Sequence, residues 1–239
     1  LRRATLNPEC FPEATFLYEK AKKRFSGISK IKLRNIIMAQ IRVFYESDRN
    51  QRFSLRPEEV HLWLIRWRKI ENWIANHWSL LEKPEDRYVE KFKSQEDRFR
   101  SAAGKIMTRL LASRYLHIPL DRISIRIGNY GKPEIVLDRN PHLTFSLSHS
   151  GDYVVLAFGL KKAIGVDVEQ VKELPEYLDL AQHFFTPEEF NDIKEIRHFY
   201  NCWTAKEAYV KALGVGLQKP LGSFCIKKDF IIEKGCRLD

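Results

Sequence analysis

The apolar positions along the chain change period several times, and each change marks an element. Val60-His61-Leu62-Trp63-Leu64-Ile65 is a nearly unbroken apolar run, which reads as a buried strand. Ile70, Trp73, Ile74, Trp78 and Leu81 then recur at helical spacing and predict an amphipathic helix over 68–81. A longer helix is expected from 95 to 116. There Ala102, Ile106, Leu110 and Ala103, Met107, Leu111 form adjacent i, i+4 rows, and Pro119 stops the pattern. Beyond it the period falls to two. Residues 123–127 alternate, Asn129-Tyr130-Gly131-Lys132-Pro133 reads as a turn, and the runs 143–148 and 153–158 flank Ser150-Gly151-Asp152 as a hairpin. Residues 163–168 are a further buried strand. Helical patterning returns at 178–185, 187–195 and 197–213, with Thr186 a good N-cap, Pro187 suited to the first helical position and Gly214 the candidate C-terminal stop. Residues 224–226 and 230–232 are expected as closing strands.

Residues 1–56 stand apart. Basic clusters (Lys20, Lys22, Lys23, Arg24; Lys30, Lys32, Arg34) surround one apolar patch at 36–39, with helical periodicity around 16–25 and 33–46. This segment holds 13 Lys and Arg against 5 Asp and Glu, whereas residues 57–239 hold 28 against 26. Most of the net charge of +10 therefore lies outside the motif-bearing part of the chain, which weakens the nucleic-acid reading that such a charge invites. We expect a loosely attached basic extension.

Length and composition narrow the class. The 239 residues allow one or two domains with a proper core, and 44% hydrophobic with 30% charged content is globular and soluble in character. No apolar run approaches the ~18–20 residues of a membrane span, and Leu1-Arg2-Arg3-Ala4-Thr5 leads into no signal-peptide core. The absent initiator Met points to a fragment or a processed chain. Cytoplasmic residence is the default expectation. Cys10, Cys202, Cys225 and Cys236 form no CxxC pair, so a structural zinc is not expected and reduced thiols are.

Three stretches carry candidate chemistry. In Gly165-Val166-Asp167-Val168-Glu169 the two carboxylates stand at i and i+2, so a strand points both to one face. In the helical run 203–214, Glu207 and Lys211 stand at i and i+4 on one face, and Trp203, Glu207, Val210 and Gly214 follow one side by 3, 4 and 7 spacings. Three carboxylates beside lysines suit a hard divalent cation carrying a phosphate. Ser146-Leu147-Ser148-His149-Ser150-Gly151 reads as a hydroxyl-rich turn able to hold phosphate oxygens. Bland alternatives stand beside each: a solvated strand end, a surface Glu–Lys pair and a polar turn. No G-x-S-x-G elbow supports a hydrolase reading of the Ser and His.

Taken in order, Gly-Lys-Pro, Ser-Leu-Ser-His-Ser-Gly, Ile-Gly-Val-Asp-Val-Glu and Trp-x-x-Lys-Glu-Ala-x-x-Lys-x-x-Gly resemble the 4′-phosphopantetheinyl transferase superfamily, of the surfactin-synthetase-activating type, over about residues 60 to 228. The resemblance implies an α+β fold of two pseudo-symmetric α/β halves, at 57–164 and 165–239, preceded by the basic extension 1–56. It implies transfer of the phosphopantetheine arm of coenzyme A to a serine of an apo acyl or peptidyl carrier protein, with release of 3′,5′-ADP. Asp167, Glu169 and Glu207 match the family's Mg2+ ligands, for which Mn2+ is an alternative. Glu207, Lys211 and Lys206 match catalytic positions, with Lys211 facing the pyrophosphate. Asp167 is expected to meet coenzyme A through the metal, Ser148 and His149 to contact its 3′-phosphate region, Lys132 and Pro133 to flank its adenine, and Arg100 to lie near the same phosphate. The family reading favours a monomer working on fatty-acid, polyketide, nonribosomal-peptide or lysine-pathway carriers, with no membrane or nucleic-acid partner.

Only thirteen residues follow Ile226, fewer than the family's second half usually carries, so a shortened half with an open sheet edge is expected. Two rival readings remain: an inactive relative that binds coenzyme A or a carrier, and a basic nucleic-acid-binding protein.

Overall fold

A computed structural model describes residues 2–5, 14–21, 40–51, 53–137, 142–227, 231–233 and 236–238, with the backbone alone for 2–5, 14–21 and 236–238. The chain starts with β1 (Arg2–Thr5), β2 (Ala14–Ala21) and β3 (Gln40–Tyr45), all within the segment expected to hang loosely. Helices expected over 16–25 and 33–46 are strands wherever residues are described there, apart from a 3-10 turn that begins at Glu46. Residues 22–39, with most of the basic clusters and the apolar patch, lie outside the described residues, as does Cys10. Pairing overrides the weak helical period in this segment. β3 adds in parallel to β4 (Glu59–Arg66), sending Ile41 and Val43 to one face of the sheet and Phe44 to the other.

The periodic stretch 68–81 is broken rather than continuous: a 3-10 turn, α1 (Glu71–Asn76) and a second 3-10 turn. The His77 ring takes the Trp73 carbonyl at 2.7 Å, the acceptor that its own N–H would use in an uninterrupted helix. α2 (Lys83–Glu90) follows, and α3 (Gln95–Leu116) begins at an N-cap Ser94 and ends with His117 in the left-handed region. Hairpin β5 (Ser124–Ile127) and β6 (Pro133–Val136) precedes hairpin β7 (Leu143–Ser150) and β8 (Tyr153–Leu160). β9 (Lys162–Glu169) leads into α4 (Tyr177–Phe184), α5 (Pro187–Asn191) and α6 (Ile196–Leu213), which Gly214 ends at φ 71°. β10 (Phe224–Ile226), β11 (Ile231–Glu233) and β12 (Cys236–Leu238) form a small antiparallel sheet.

The fold class is α+β, with its elements stacked in layers. The main sheet runs β3-β4-β8-β7. One face carries Trp63, Ile65, Phe145, Leu156 and Phe158 against Ile106, Met107 and Leu111 of α3. The other carries Val60, Leu62, Leu64, Val155 and Ala157 against Ile164, Val166 and Val168 of β9. Each such fully buried aliphatic side chain contributes about 2 kcal/mol of transfer energy, so the two faces fix the sheet between its neighbours.

α6 lies on the far side of β9, and the approach is close because of Gly165. Any Cβ there would collide with the backbone of Ala208 and Ala212. β2 pairs with the full length of β9 from Ala14↔Glu169 to Ala21↔Lys162.

Candidate active site

Serines hold β9 beside β7. Alternation along β7 turns Ser146, Ser148 and Ser150 to one face and Leu147 and His149 to the other. The three hydroxyls accept the N–H groups of Val166, Val168 and Gln170 at 3.0, 3.4 and 3.1 Å. The strand expected over 143–148 runs two residues further, to Ser150, and Gly151 at φ 55° begins the link to β8.

The same hydroxyls reach the acidic side chains of β9. Ser148 donates to Asp167 Oδ1 at 2.7 Å and Ser150 donates to Glu169 Oε2 at 2.9 Å. From α6, Lys211 Nζ donates to Asp167 Oδ1 at 2.6 Å and to Ser148 Oγ at 3.0 Å. Asp167 is 3% exposed, and its Oδ2 is buried with no hydrogen-bond partner among the described residues. Glu207, one turn before Lys211, faces the same space. Burial raises the carboxyls of Glu169 and Glu207 above the usual range, and the negative charge of Asp167 raises both further.

These groups line a cleft of about 660 Å³ whose walls are β7, the turn between β5 and β6, β9 and α6. Trp203, Glu207, Val210, Lys211 and Gly214 all line it, so the helical side read from spacing is the side that faces the cleft. A second lobe of about 740 Å³ shares Tyr88, Gly131, Pro133, Phe145, Leu147 and His149 with the first. It adds Ser101, Lys105 and Thr108 of α3 and Arg126 of β5.

The expected residues are distributed as follows. Asp167, Glu169, Glu207, Lys211 and Ser148 meet in the first lobe, with Ser148 turned inward onto Asp167. His149 points the other way, into both lobes. Loss of hydration at the cleft wall, then the charge of Arg100, lowers its pKa. Pro133 lines both lobes. Lys132 lines the first, with its Nζ donating to the carbonyls of Ile164 at 2.9 Å and Lys211 at 2.7 Å, which ties the hairpin turn to β9 and to the last turn of α6. Arg100 does not line either lobe. Its guanidinium pairs with Asp97 and donates to the Gly151 carbonyl at 2.8 Å, bracing the β7–β8 turn behind His149.

Lys206 is not brought to the cleft. It is fully buried on the opposite side of α6, where Nζ pairs with Glu189 at 2.7 Å and donates to the carbonyls of Leu221 at 2.8 Å and Phe224 at 2.6 Å. Lys206 and Lys211 are five residues apart, which puts them about 140° apart on a helix, and only one of them can face the ligand.

Lining residues that the sequence reading passed over include Tyr88, Ser101, Lys105 and Phe145. Tyr88 sits on α2, a helix not anticipated, although Lys83-Pro84-Glu85-Asp86 carries the proline and acidic first turn of a helix start.

Fit to a divalent cation rests on Asp167. An unpartnered, buried carboxylate oxygen beside two further carboxylates is an oxygen-rich, electron-rich setting of the kind hard cations occupy. No three His, Cys, Asp or Glu side chains among the described residues already converge on one point. Mg2+ commonly keeps several waters and takes one or two carboxylates with substrate phosphates, so this donor set still fits.

Cys202 is half-buried and Cys225 buried. No described helix is long and apolar enough to cross a membrane.

Comparison with known proteins gives matches on both sides of the cleft. Residues 65–160 match the family described as 4′-phosphopantetheinyl transferase, N-terminal, and residues 163–235 match the 4′-phosphopantetheinyl transferase superfamily. The chain is 31% identical over 174 residues to 4′-phosphopantetheinyl transferase HetI of Nostoc sp., covering 70% of this chain and 73% of that protein. It is 32% identical over 181 residues to a phosphopantetheinyl transferase of Thraustochytrium sp., covering 67% of this chain and 63% of that one. It is 33% identical over 143 residues to 4′-phosphopantetheinyl transferase Sfp of Bacillus subtilis, covering 57% and 62%. The chain thus spans about three-fifths of the length of the latter two relatives.

Proposed function

Because this chain belongs to the 4′-phosphopantetheinyl transferase superfamily, we propose that it transfers the phosphopantetheine arm of coenzyme A to a serine of an apo carrier protein. The observation that carries this reading is the facing of Asp167 and Glu169 on β9 by Glu207 and Lys211 on α6, across a cleft of about 660 Å³.

The reaction is a phosphoryl transfer. The carrier serine oxygen bonds to the β-phosphorus of coenzyme A, the bond from that phosphorus to the bridging oxygen breaks, and 3′,5′-ADP leaves with the electron pair. Asp167, Glu169 and Glu207 would hold Mg2+ or Mn2+, which when bound neutralises charge on the pyrophosphate oxygens. Lys211, 31% exposed in its side chain and already drawn to Asp167, supplies a positive charge on the side where the leaving group develops negative charge. Glu207 would accept the proton of the attacking serine. His149, with Lys105 in the second lobe, would bind an anionic part of the nucleotide. Phe145, Leu147 and Val210 give the cleft apolar walls, and the lower local dielectric beside them strengthens these charge interactions.

Incubation of the protein with coenzyme A, Mg2+ and a panel of apo carrier proteins, followed by intact-mass spectrometry, tests the proposal. The carrier should gain one phosphopantetheine. A panel of acyl and peptidyl carriers that all keep their apo mass, while coenzyme A is shown to bind, would turn the reading toward a binding relative without transfer.

A further inference from the structure

The serines of β7 repeat one arrangement twice. Ser148 accepts the N–H of Val168 and donates to the carboxylate of the preceding residue, Asp167. Ser150 accepts the N–H of Gln170 and donates to the carboxylate of the preceding residue, Glu169. Ser146 accepts the N–H of Val166 in the same way, but the residue before Val166 is Gly165, which has no side chain to hold. A hydroxyl has one proton, so each of Ser148 and Ser150 commits it to a carboxylate, and neither can donate to a ligand without releasing that group.

The consequence is an ordered pair of acids. One oxygen of each carboxylate is fixed by a hydroxyl, and in Asp167 the other oxygen is buried and has no hydrogen-bond partner among the described residues. Ser148, at 7% exposed, is itself enclosed by Asp167, Lys211 and the β9 backbone.

We propose that Ser148 and Ser150 are positioning residues that orient Asp167 and Glu169 for a divalent cation, rather than ligands of the substrate phosphate. The proposal rests on the transferase reading for the presence of that cation. Partners that orient metal-binding side chains in this way typically change metal affinity by about 10–100-fold when removed.

The experiment uses Mn2+ as probe, with its affinity measured by electron paramagnetic resonance on the full chain. Ser148→Ala and Ser150→Ala should each weaken Mn2+ binding at least about tenfold. Ser146→Ala, which loses a strand contact but no carboxylate partner, should lower the melting temperature while keeping Mn2+ affinity within about twofold of the parent. Binding of coenzyme A and of 3′-dephospho-coenzyme A is measured in parallel. The ratio of the two affinities should be the same in Ser148→Ala as in the parent, because the hydroxyl does not touch the 3′-phosphate.

A ratio that collapses toward one in Ser148→Ala would make the serine a phosphate ligand and overturn the proposal. So would Mn2+ affinity unchanged in both alanine variants, or equally lost in Ser146→Ala. A parent that binds no Mn2+ overturns the proposal together with the cation reading, whereas a parent that binds and variants that bind equally well overturn the positioning role alone.

Discussion

Two adjacent residues of α6 divide the labour of the helix. Glu207 faces the cleft, and Glu207→Gln keeps its shape while removing its charge. Transfer should fall by at least about 100-fold, as for loss of an acid–base group, with the melting temperature unchanged to within a few degrees. Carrier modification in single-turnover assays measures the first quantity and thermal denaturation the second. Lys206 faces away and holds Glu189 with the carbonyls of Leu221 and Phe224. Glu189 also caps α5 through Thr186 and accepts the N–H of Ile226 at 2.7 Å. Lys206→Met leaves that carboxylate buried without its cation and should cost about 3–5 kcal/mol of stability, read from urea unfolding. A Lys206→Met variant as stable as the parent but slow in transfer would return the lysine to the chemistry. The sequence alone could not separate these neighbours, because both fit a surface helix motif. What separates them is which strand the helix lies against.

At the level of elements, the meeting of β9 and α6 depends on the absence of one side chain. Gly165→Ala places a methyl group where the backbone of Ala208 and Ala212 already stands, and backbone cannot give way as a side chain tip can. We expect a loss of at least about 1–3 kcal/mol together with loss of Mn2+ binding, since the carboxylates two and four residues on would shift away from α6. Denaturant titration and Mn2+ titration of the same preparation check both. Much of the element order was legible. α3 spans the residues its i, i+4 rows and Pro119 indicated, and α6 ends at Gly214. Ser146 and Ser148 fall within the strand expected over 143–148, and the i, i+2 argument that placed Asp167 and Glu169 on one face extends that strand through His149 and Ser150. The break within 68–81 left no periodic signal; at it the His77 ring bonds the Trp73 carbonyl. β2 and β3 were not legible for a different reason: each is held by pairing to another strand, β9 and β4, rather than marked by a periodicity of its own.

For the molecule as a whole, acid should act first through a buried charge network remote from the cleft. Glu59 and His61 on β4 are fully enclosed, with His61 Nδ1 2.8 Å from the Tyr115 hydroxyl and Nε2 3.4 Å from Glu59. The hydrogen bond from Arg56 pulls the Glu59 carboxyl down to about 2. Burial lowers the His61 pKa, against the pull of Glu59 and with help from Arg42. Both folded values lie below their unfolded ones, so both groups stabilise the fold above the unfolded pKa and lose that contribution as pH falls. His61 should begin to cost stability as pH drops through about 6.5, and Glu59 as it drops through about 4.3 toward 2. Melting temperature followed from pH 8 to pH 3 should decline in both windows. His61→Gln should reduce the upper decline and leave the lower, the remainder falling to His149, whose pKa is lowered in the same direction, and an upper decline of unchanged size would assign it elsewhere. None of this network was legible beforehand, because Tyr115 closes it from α3, more than fifty residues along the chain.

The opposite burial of Lys206 and Lys211 also has a consequence for reactivity toward reagents. Acylation of an amine requires a neutral, approachable nitrogen. The side chain of Lys211 is 31% exposed beside an open cleft, whereas that of Lys206 is 0% exposed with three oxygens around its nitrogen. A water-soluble amine-acylating reagent should therefore mark Lys211 in the native protein, and mark it more slowly once a pyrophosphate ligand is bound. It should reach Lys206 only at the rate at which the chain unfolds. Peptide mapping of one labelled sample would then give two clocks on a single helix, one timing occupancy of the cleft and the other timing the opening of the fold.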